Sequence, residues 1–184
     1  MSKIVLVTGG SRSGKSVLAE NKAFEYGDGS VLYIATAIAT DDDMKERIRM
    51  HQERRDARWD THEGFKDISE ALKNTDKTTA LLDCITVFIT NYMFDEERDF
   101  DRITKDEIHV LEDMILEKLR EIIDTARKEE KNLIMVTNEV GMCVVSPYRM
   151  SRIFSDINGK ANEMLASLSD EVYLSVCGIP MKLK

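Results

Sequence analysis

Short runs of apolar residues recur along the chain at Ile4–Thr8, Val31–Thr36, Ala80–Cys84, Leu133–Thr137 and Val172–Val176. They are continuous rather than alternating, which is the pattern of strands covered on both faces, as in a parallel sheet. Between them the apolar spacing takes the helical period over Gly14–Tyr26, Asp42–Arg58, Lys105–Lys128 and Arg149–Leu168. Strands alternating with helices predict an α/β fold: a mostly parallel sheet flanked by helices. Beyond the last run, Gly178-Ile179-Pro180 reads as a turn, and Gly178–Lys184 as a C-terminal edge strand returning from it. The charged stretch Asp95–Asp101 reads as a solvated loop ahead of a long helix. No repeat, low-complexity tract or Pro-rich linker divides the chain, so residues 1–184 are expected to form a single domain.

Composition changes this picture little. Apolar residues make up 42% and charged residues 33% of 184, as in an ordinary soluble domain with a sizeable core. The net charge of −8 argues against a general nucleic-acid binder, because backbone phosphates would be repelled, but leaves room for a local site taking one nucleotide. Cys84, Cys143 and Cys177 are odd in number and far apart; they are expected to be partly buried thiols in a reducing compartment. The apolar start is too short for a secretory segment, and the longest apolar stretch falls short of the ~20 residues that cross a bilayer. The expectation is a cytoplasmic protein without stable membrane insertion.

The strongest chemical signal is Gly9-Gly10-Ser11-Arg12-Ser13-Gly14-Lys15-Ser16, which matches G-x-x-x-x-G-K-[ST] between a predicted strand and a predicted helix. Glycines let backbone N–H groups curl around phosphate oxygens, and the helix that follows turns its unpaired N–H groups and positive dipole end toward the anion. Lys15 is expected to reach the β and γ oxygens, and Ser16 to hold Mg²⁺. A glycine turn that merely packs a helix on a strand would not need this full spacing. Ala80-Leu81-Leu82-Asp83 is an apolar strand ending in a carboxylate, which either helps place Mg²⁺ or simply closes a strand at a turn. These residues imply an enzyme moving a phosphoryl or nucleotidyl group from GTP or ATP to a small acceptor.

Between Met44 and Arg58 stand six basic residues (Lys45, Arg47, Arg49, Arg54, Arg55, Arg58) and three acidic ones, a local excess of positive charge. On a helix, Met44, Ile48, His51 and Arg55 share one face. His51 is then either a structural histidine beside a solvated basic face, or a base or nucleophile on a helix whose arginines neutralise a polyphosphate. Nearby like charge would keep its imidazole neutral and nucleophilic. His109 has no convergent partners in the pattern, and His62 reads as a loop residue.

Together these segments resemble the bifunctional adenosylcobinamide kinase/adenosylcobinamide-phosphate guanylyltransferase family of cobalamin synthesis. The likeness rests on Val7–Ser16, Leu32-Tyr33-Ile34-Ala35-Thr36-Ala37, Asp42-Asp43-Met44 with Arg47, Ile48 and His51, then Arg55, Trp59, Thr61 and Glu63. It continues through Leu82-Asp83-Cys84-Ile85-Thr86, Thr90-Asn91, Val136–Gly141, Arg152, Phe154, Asp156, Gly159, Asn162, Asp170-Glu171-Val172 and Gly178. It departs at Cys143-Val144-Val145-Ser146-Pro147 and at Glu163. The resemblance implies a P-loop NTPase core of the RecA-like kind and a homotrimer. It also implies phosphorylation of adenosylcobinamide, then transfer of GMP from GTP through a guanylylated histidine to adenosylcobinamide phosphate. The nucleophile falls on His51, with Lys15 as the other catalytic residue. Nucleotide contacts fall on Gly9, Gly10, Ser11, Arg12, Ser13, Gly14, Lys15, Ser16, Ala35, Thr36, Ala37, Gln52, Glu53, Arg54, Arg55, Glu63 and Asp83, and the Mg²⁺ ligands on Ser16 and Asp83. A small-molecule kinase without nucleotidyl transfer, and a GTP-binding regulatory module without turnover, are the alternatives.

Overall fold

A computed structural model describes residues 2–39, 42–54 and 56–184, with the backbone alone described at Asp43, Met44, Arg47, His51 and Arg54. Among the described residues thirteen elements follow one another: β1 (Ile4–Gly9), α1 (Lys15–Gly27), β2 (Val31–Ala35), α2 (Asp42–Arg54), β3 (Asp60–Glu63), α3 (Ile68–Asn74), β4 (Thr79–Asp83), α4 (Ile85–Phe94), α5 (Lys105–Lys128), β5 (Asn132–Val136), α6 (Arg149–Leu168), β6 (Glu171–Val176) and β7 (Ile179–Lys182). The strands form one sheet in the order β3-β2-β4-β5-β1-β6-β7. Every neighbouring pair is parallel except the terminal hairpin of β6 and β7.

Both faces of this sheet are covered, which is why its inner strands are apolar at most positions. On β1, Val5 and Val7 point to the face packed by Ala19 and Ala23 of α1, together with Tyr33, Leu81, Ile134 and Val136. Ile4 and Leu6 point to the opposite face, where Phe88 and Ile89 of α4, Ile115, Leu119 and Ile123 of α5, and Ile157, Ala161 and Leu165 of α6 close the larger core. The 24-residue α5 starts at a capping box: the Thr104 hydroxyl accepts from the Glu107 N–H, and the Glu107 carboxylate accepts from the Thr104 N–H. No helix among the described residues is long and apolar enough to cross a membrane.

The expected strands and helices are present, and three further elements stand between them. The edge strand β3 reads Asp-Thr-His-Glu and is largely exposed, so it carries no apolar signal; His62 belongs to it rather than to a loop. Helix α4 is apolar nearly all round and buries Ile85, Thr86, Phe88, Ile89 and Met93, which erases the polar half of a helical period. Helix α3 has only seven residues, about two turns, too few to show a period. Helix α2 ends at Arg54 rather than Arg58. The Asp56 carboxylate instead accepts from the Arg58 N–H at 3.0 Å and from its guanidinium at 2.7 Å, a local turn that competes with helix. That guanidinium lies over the Phe24 ring, 5.4 Å from its centroid, and so leaves the basic face read from the sequence. Cys143 and Cys177 are exposed, not partly buried.

Glu171 joins α1, β1, β6 and β7 at the amino edge of the sheet. Its carboxylate accepts from the Tyr173 hydroxyl at 2.7 Å and the Tyr26 hydroxyl at 3.1 Å, with the Lys182 and Lys3 ammonium groups at 3.5 and 3.6 Å. The Tyr173 bond first, then those of Tyr26 and Lys182, hold its pKa down to about 2. A carboxyl whose pKa is lower folded than unfolded stabilises fully above its ordinary value of 4.5 and loses that contribution as pH falls through the folded value. Urea midpoints followed downward from about pH 6 are therefore expected to fall more steeply for the natural chain than for Glu171→Gln, the two curves converging near about pH 2.

Candidate active site

β1 delivers the chain at Gly9 to a loop that ends where α1 begins. The approach is tight: a Cβ on Gly9 would stand 2.5 Å from the Ser175 carbonyl oxygen and 2.6 Å from Ser13 Oγ. Gly14, the N-cap of α1, has φ +90°, a conformation in which a side chain is strained. The first turn of α1 leaves its amide N–H groups without helical partners, an arrangement that suits an anion. Ser11 and Arg12 are exposed, Ser13 is buried, and Ser16 is half-buried in the first turn. Lys15 is buried and donates 2.9 Å to the Gly10 carbonyl. Burial lowers the Lys15 pKa, while Cys84 and Asp83 pull it back upward, so the ammonium sits within electrostatic reach of the end of β4. Burial first, then the Asp83 carboxylate, pushes the Cys84 thiol up to about 12.

Register sets the rest. Glu63, Ala35, Asp83 and Val136 pair across β3, β2, β4 and β5, and Val136 pairs with Val7 of β1, so the candidate residues line one carboxyl edge. The Tyr33 hydroxyl donates 2.8 Å to Asp83 Oδ2, and its ring stacks on Trp59 with centroids 6.2 Å apart. Thr36 Oγ1 accepts from the Cys84 N–H and donates to the Cys84 carbonyl, each at 2.9 Å, and Asn91 Nδ2 donates 2.7 Å to the Thr36 carbonyl. These bonds fasten Thr36 to the end of β4; half-buried Ala37 follows it. Gln52 Nε2 donates 3.0 Å to Glu63 Oε1, which ties the last turn of α2 to this edge.

Not every predicted residue converges. Glu53 pairs with Arg49, which also pairs with Glu46, and Lys45 pairs with Asp42. Helix α2 as formed holds four basic and four acidic residues, so it carries no net positive charge; the excess read from the sequence depended on Arg55 and Arg58 and left out Asp42 and Asp43. Arg55 lies outside the described residues, as do the side chains of His51 and Arg54.

A buried polar network behind the loop was not read as functional from the sequence. The Thr86 hydroxyl accepts from the Asn138 N–H at 2.8 Å; Asn158 and Asn162 donate to the Asn138 carbonyl at 2.9 and 3.1 Å; the Thr137 hydroxyl donates 2.7 Å to Asn162 Oδ1. The Glu139 N–H then donates 3.1 Å to the Gly9 carbonyl, joining this network to the phosphate loop. Amides at positions 158 and 162 within the apolar face of α6 were the available signal, since a buried amide requires a partner. Tyr33, a phenol inside an otherwise apolar strand, carried the same signal.

Among the described residues no group of three or more His, Cys, Asp or Glu could hold a metal ion by itself. The Ser16 hydroxyl and the Asp83 carboxylate suit Mg²⁺, which takes one or two protein oxygens and completes its shell with water and substrate phosphates.

The sequence profile of the family described as cobinamide kinase / cobinamide phosphate guanyltransferase matches residues 5–183. The chain is 39% identical over 184 residues to the "Bifunctional adenosylcobalamin biosynthesis protein CobU" of Escherichia coli (strain K12), covering 98% of this chain and 99% of that protein. It is 39% identical over 195 residues to the protein of the same name from Salmonella typhimurium (strain LT2), again with 98% and 99% covered. Among solved structures, the flagellar accessory protein FlaH from Methanocaldococcus jannaschii superposes with a TM-score of 0.50 at 14% identity, over 99% of this chain and 78% of that one, a likeness of fold alone. The shared architecture is the mostly parallel seven-stranded sheet flanked by helices.

The Tyr33–Asp83 bond supplies a direct test of how this edge is held. A hydrogen bond to a charged group contributes about 1.5–3 kcal/mol, so Tyr33→Phe is expected to lower unfolding stability in urea by that amount while keeping the stacked ring.

Proposed function

The chain belongs to the cobinamide kinase / cobinamide phosphate guanylyltransferase family, a bifunctional enzyme of cobalamin biosynthesis, and on that premise we propose how its residues divide the two reactions. Gly9–Ser16 binds the triphosphate of GTP or ATP. In the kinase step the aminopropanol hydroxyl of adenosylcobinamide attacks the γ-phosphorus. Its proton is lost, the bond from the γ-phosphorus to the β–γ bridging oxygen breaks, and the nucleoside diphosphate leaves. Lys15 and the N–H groups of the loop and of the first turn of α1 meet the charge that builds on the phosphate oxygens. Mg²⁺, held by Ser16 and Asp83, would neutralise the same oxygens.

In the second reaction a ring nitrogen of His51 attacks the α-phosphorus of GTP and pyrophosphate departs, leaving GMP joined to the imidazole through a P–N bond. A phosphate oxygen of adenosylcobinamide phosphate then attacks that phosphorus. The P–N bond breaks, and adenosylcobinamide-GDP is formed with the imidazole restored. Two displacements through a covalent intermediate replace one difficult one. The observation that carries this reading is the Gln52–Glu63 bond. The residue following His51 is tied to the strand end registered with Ala35 and Asp83, which supports a place for His51 along the carboxyl edge that also carries the phosphate loop. Ala35, Thr36, Ala37 and Glu63 would line the nucleoside end.

Incubation with GTP labelled at the α-phosphorus tests this. Protein-bound label that survives alkali, is lost in acid and is absent from His51→Ala is expected; no label in the natural chain would leave a kinase only. His51→Ala is expected to abolish guanylyl transfer while phosphorylation of the corrinoid, followed by chromatography, largely persists. Lys15→Ala is expected to abolish both.

A further inference from the structure

The hairpin of β6 and β7 reaches the back of the phosphate loop. Ser175 Oγ donates 2.7 Å to the Ser13 carbonyl oxygen, and the Gly178 N–H donates 2.8 Å to the same oxygen. Ser175 is only 2% exposed, so its bond does not compete freely with water, while Gly178 lies at the exposed turn. The hairpin turn is built for this approach. Cys177 and Gly178 have φ of +52° and +79°, the left-handed pair that a two-residue hairpin requires. A Cβ on Gly14 would stand 3.0 Å from the Gly178 Cα.

The Ser13 carbonyl and the Gly14 N–H belong to one planar peptide unit, in which they point in opposite directions. Two donors gripping the carbonyl from the hairpin side therefore turn the N–H away from the hairpin, toward the hollow between the loop and the first turn of α1. The opposite orientation would leave the buried Ser175 hydroxyl without this acceptor, free the Gly178 N–H as well, and present a carbonyl oxygen to an anion. We infer that Ser175 and Gly178 are positioning residues that keep the Ser13–Gly14 peptide set as a hydrogen-bond donor to a bound phosphate. The inference rests on Gly9–Ser16 being the triphosphate cradle. It adds an anchor from the far end of the chain that touches no substrate and whose effect is transmitted through one peptide plane.

Ser175→Ala removes one of the two donors. Its Kd for a fluorescent GTP analogue is expected to rise about three- to tenfold, the range for one net hydrogen bond. The KM for nucleotide is expected to rise by the same factor in both reactions, with the KM for the corrinoid acceptor unchanged. Ser175→Thr, which keeps the hydroxyl, is expected to return toward the natural affinity. Unchanged GTP affinity in Ser175→Ala, with Lys15→Ala having lost binding, would overturn the positioning role and leave the cradle standing. A lowered melting temperature with unchanged affinity would overturn it equally, marking Ser175 as a packing residue. GTP affinity undiminished in Lys15→Ala would instead remove the cradle reading itself.

Discussion

Parallel pairing sends every strand from β1 to β6 out of the sheet at one edge, and that constraint organises the whole site. Because β3, β2, β4, β5 and β1 share direction and register, residues more than fifty positions apart end side by side without any loop having to bring them there. Glu63, Ala35 and Asp83 form one row; the phosphate loop leaves the sheet two residues beyond the level of that row on β1. Ligand sites of open α/β sheets lie at this carboxyl edge for the same reason. Helices on both faces brace the sheet, so side chains at its edge inherit their positions from a scaffold whose inner strands are buried.

A rigid apolar scaffold cannot by itself hold polar loops, since every buried N–H and C=O needs a partner. Here the partners come from a small set of hydroxyls and amides: Thr36, Thr86, Thr137, Asn91, Asn158 and Asn162. Each binds backbone of a segment leaving a strand or, like Thr137, a side chain that does. The site is thereby braced by side chains of α4 and α6 and by the residues that follow β2 and β5 rather than by the loops' own packing. Tyr33 acts on the same principle from within a strand, orienting Asp83 while its ring stays in the core.

What was legible in the sequence follows from this division. The inner strands are wet on neither face, so their apolar runs stand out, and the phosphate loop announces itself because glycines are needed at fixed offsets. Edge strand β3 pairs on one side only and needs no apolar residues, so nothing in Asp-Thr-His-Glu marks it. Helix α4 is hidden for the opposite reason, having almost no polar face. The end of α2 was misplaced because the competing Asp56–Arg58 turn is a matter of local geometry, not composition. Within the candidate site, the likeness to a family supplied residues such as Gln52 and Glu63, whose types alone carry no signal. Only coordinates could show that these two touch. The support lent by Ser175 was invisible, because a serine in an apolar strand differs little from any other until its hydroxyl is seen to face the loop.

The anchoring of the phosphate loop by the terminal hairpin has a consequence for how the protein comes into being. Ser13 and Ser175 are 162 positions apart, and β1 lies between two strands, β5 and β6, that are both made late. The loop is made well before β5 and β6, so β1 waits through several intervening elements before it acquires its strand neighbours. Contacts of such long separation slow the closing steps of folding. On the reading of Gly9–Ser16 as a triphosphate cradle, the glycine-rich segment gains its full anchor only after β6 and β7 have been made and paired, long after its own synthesis.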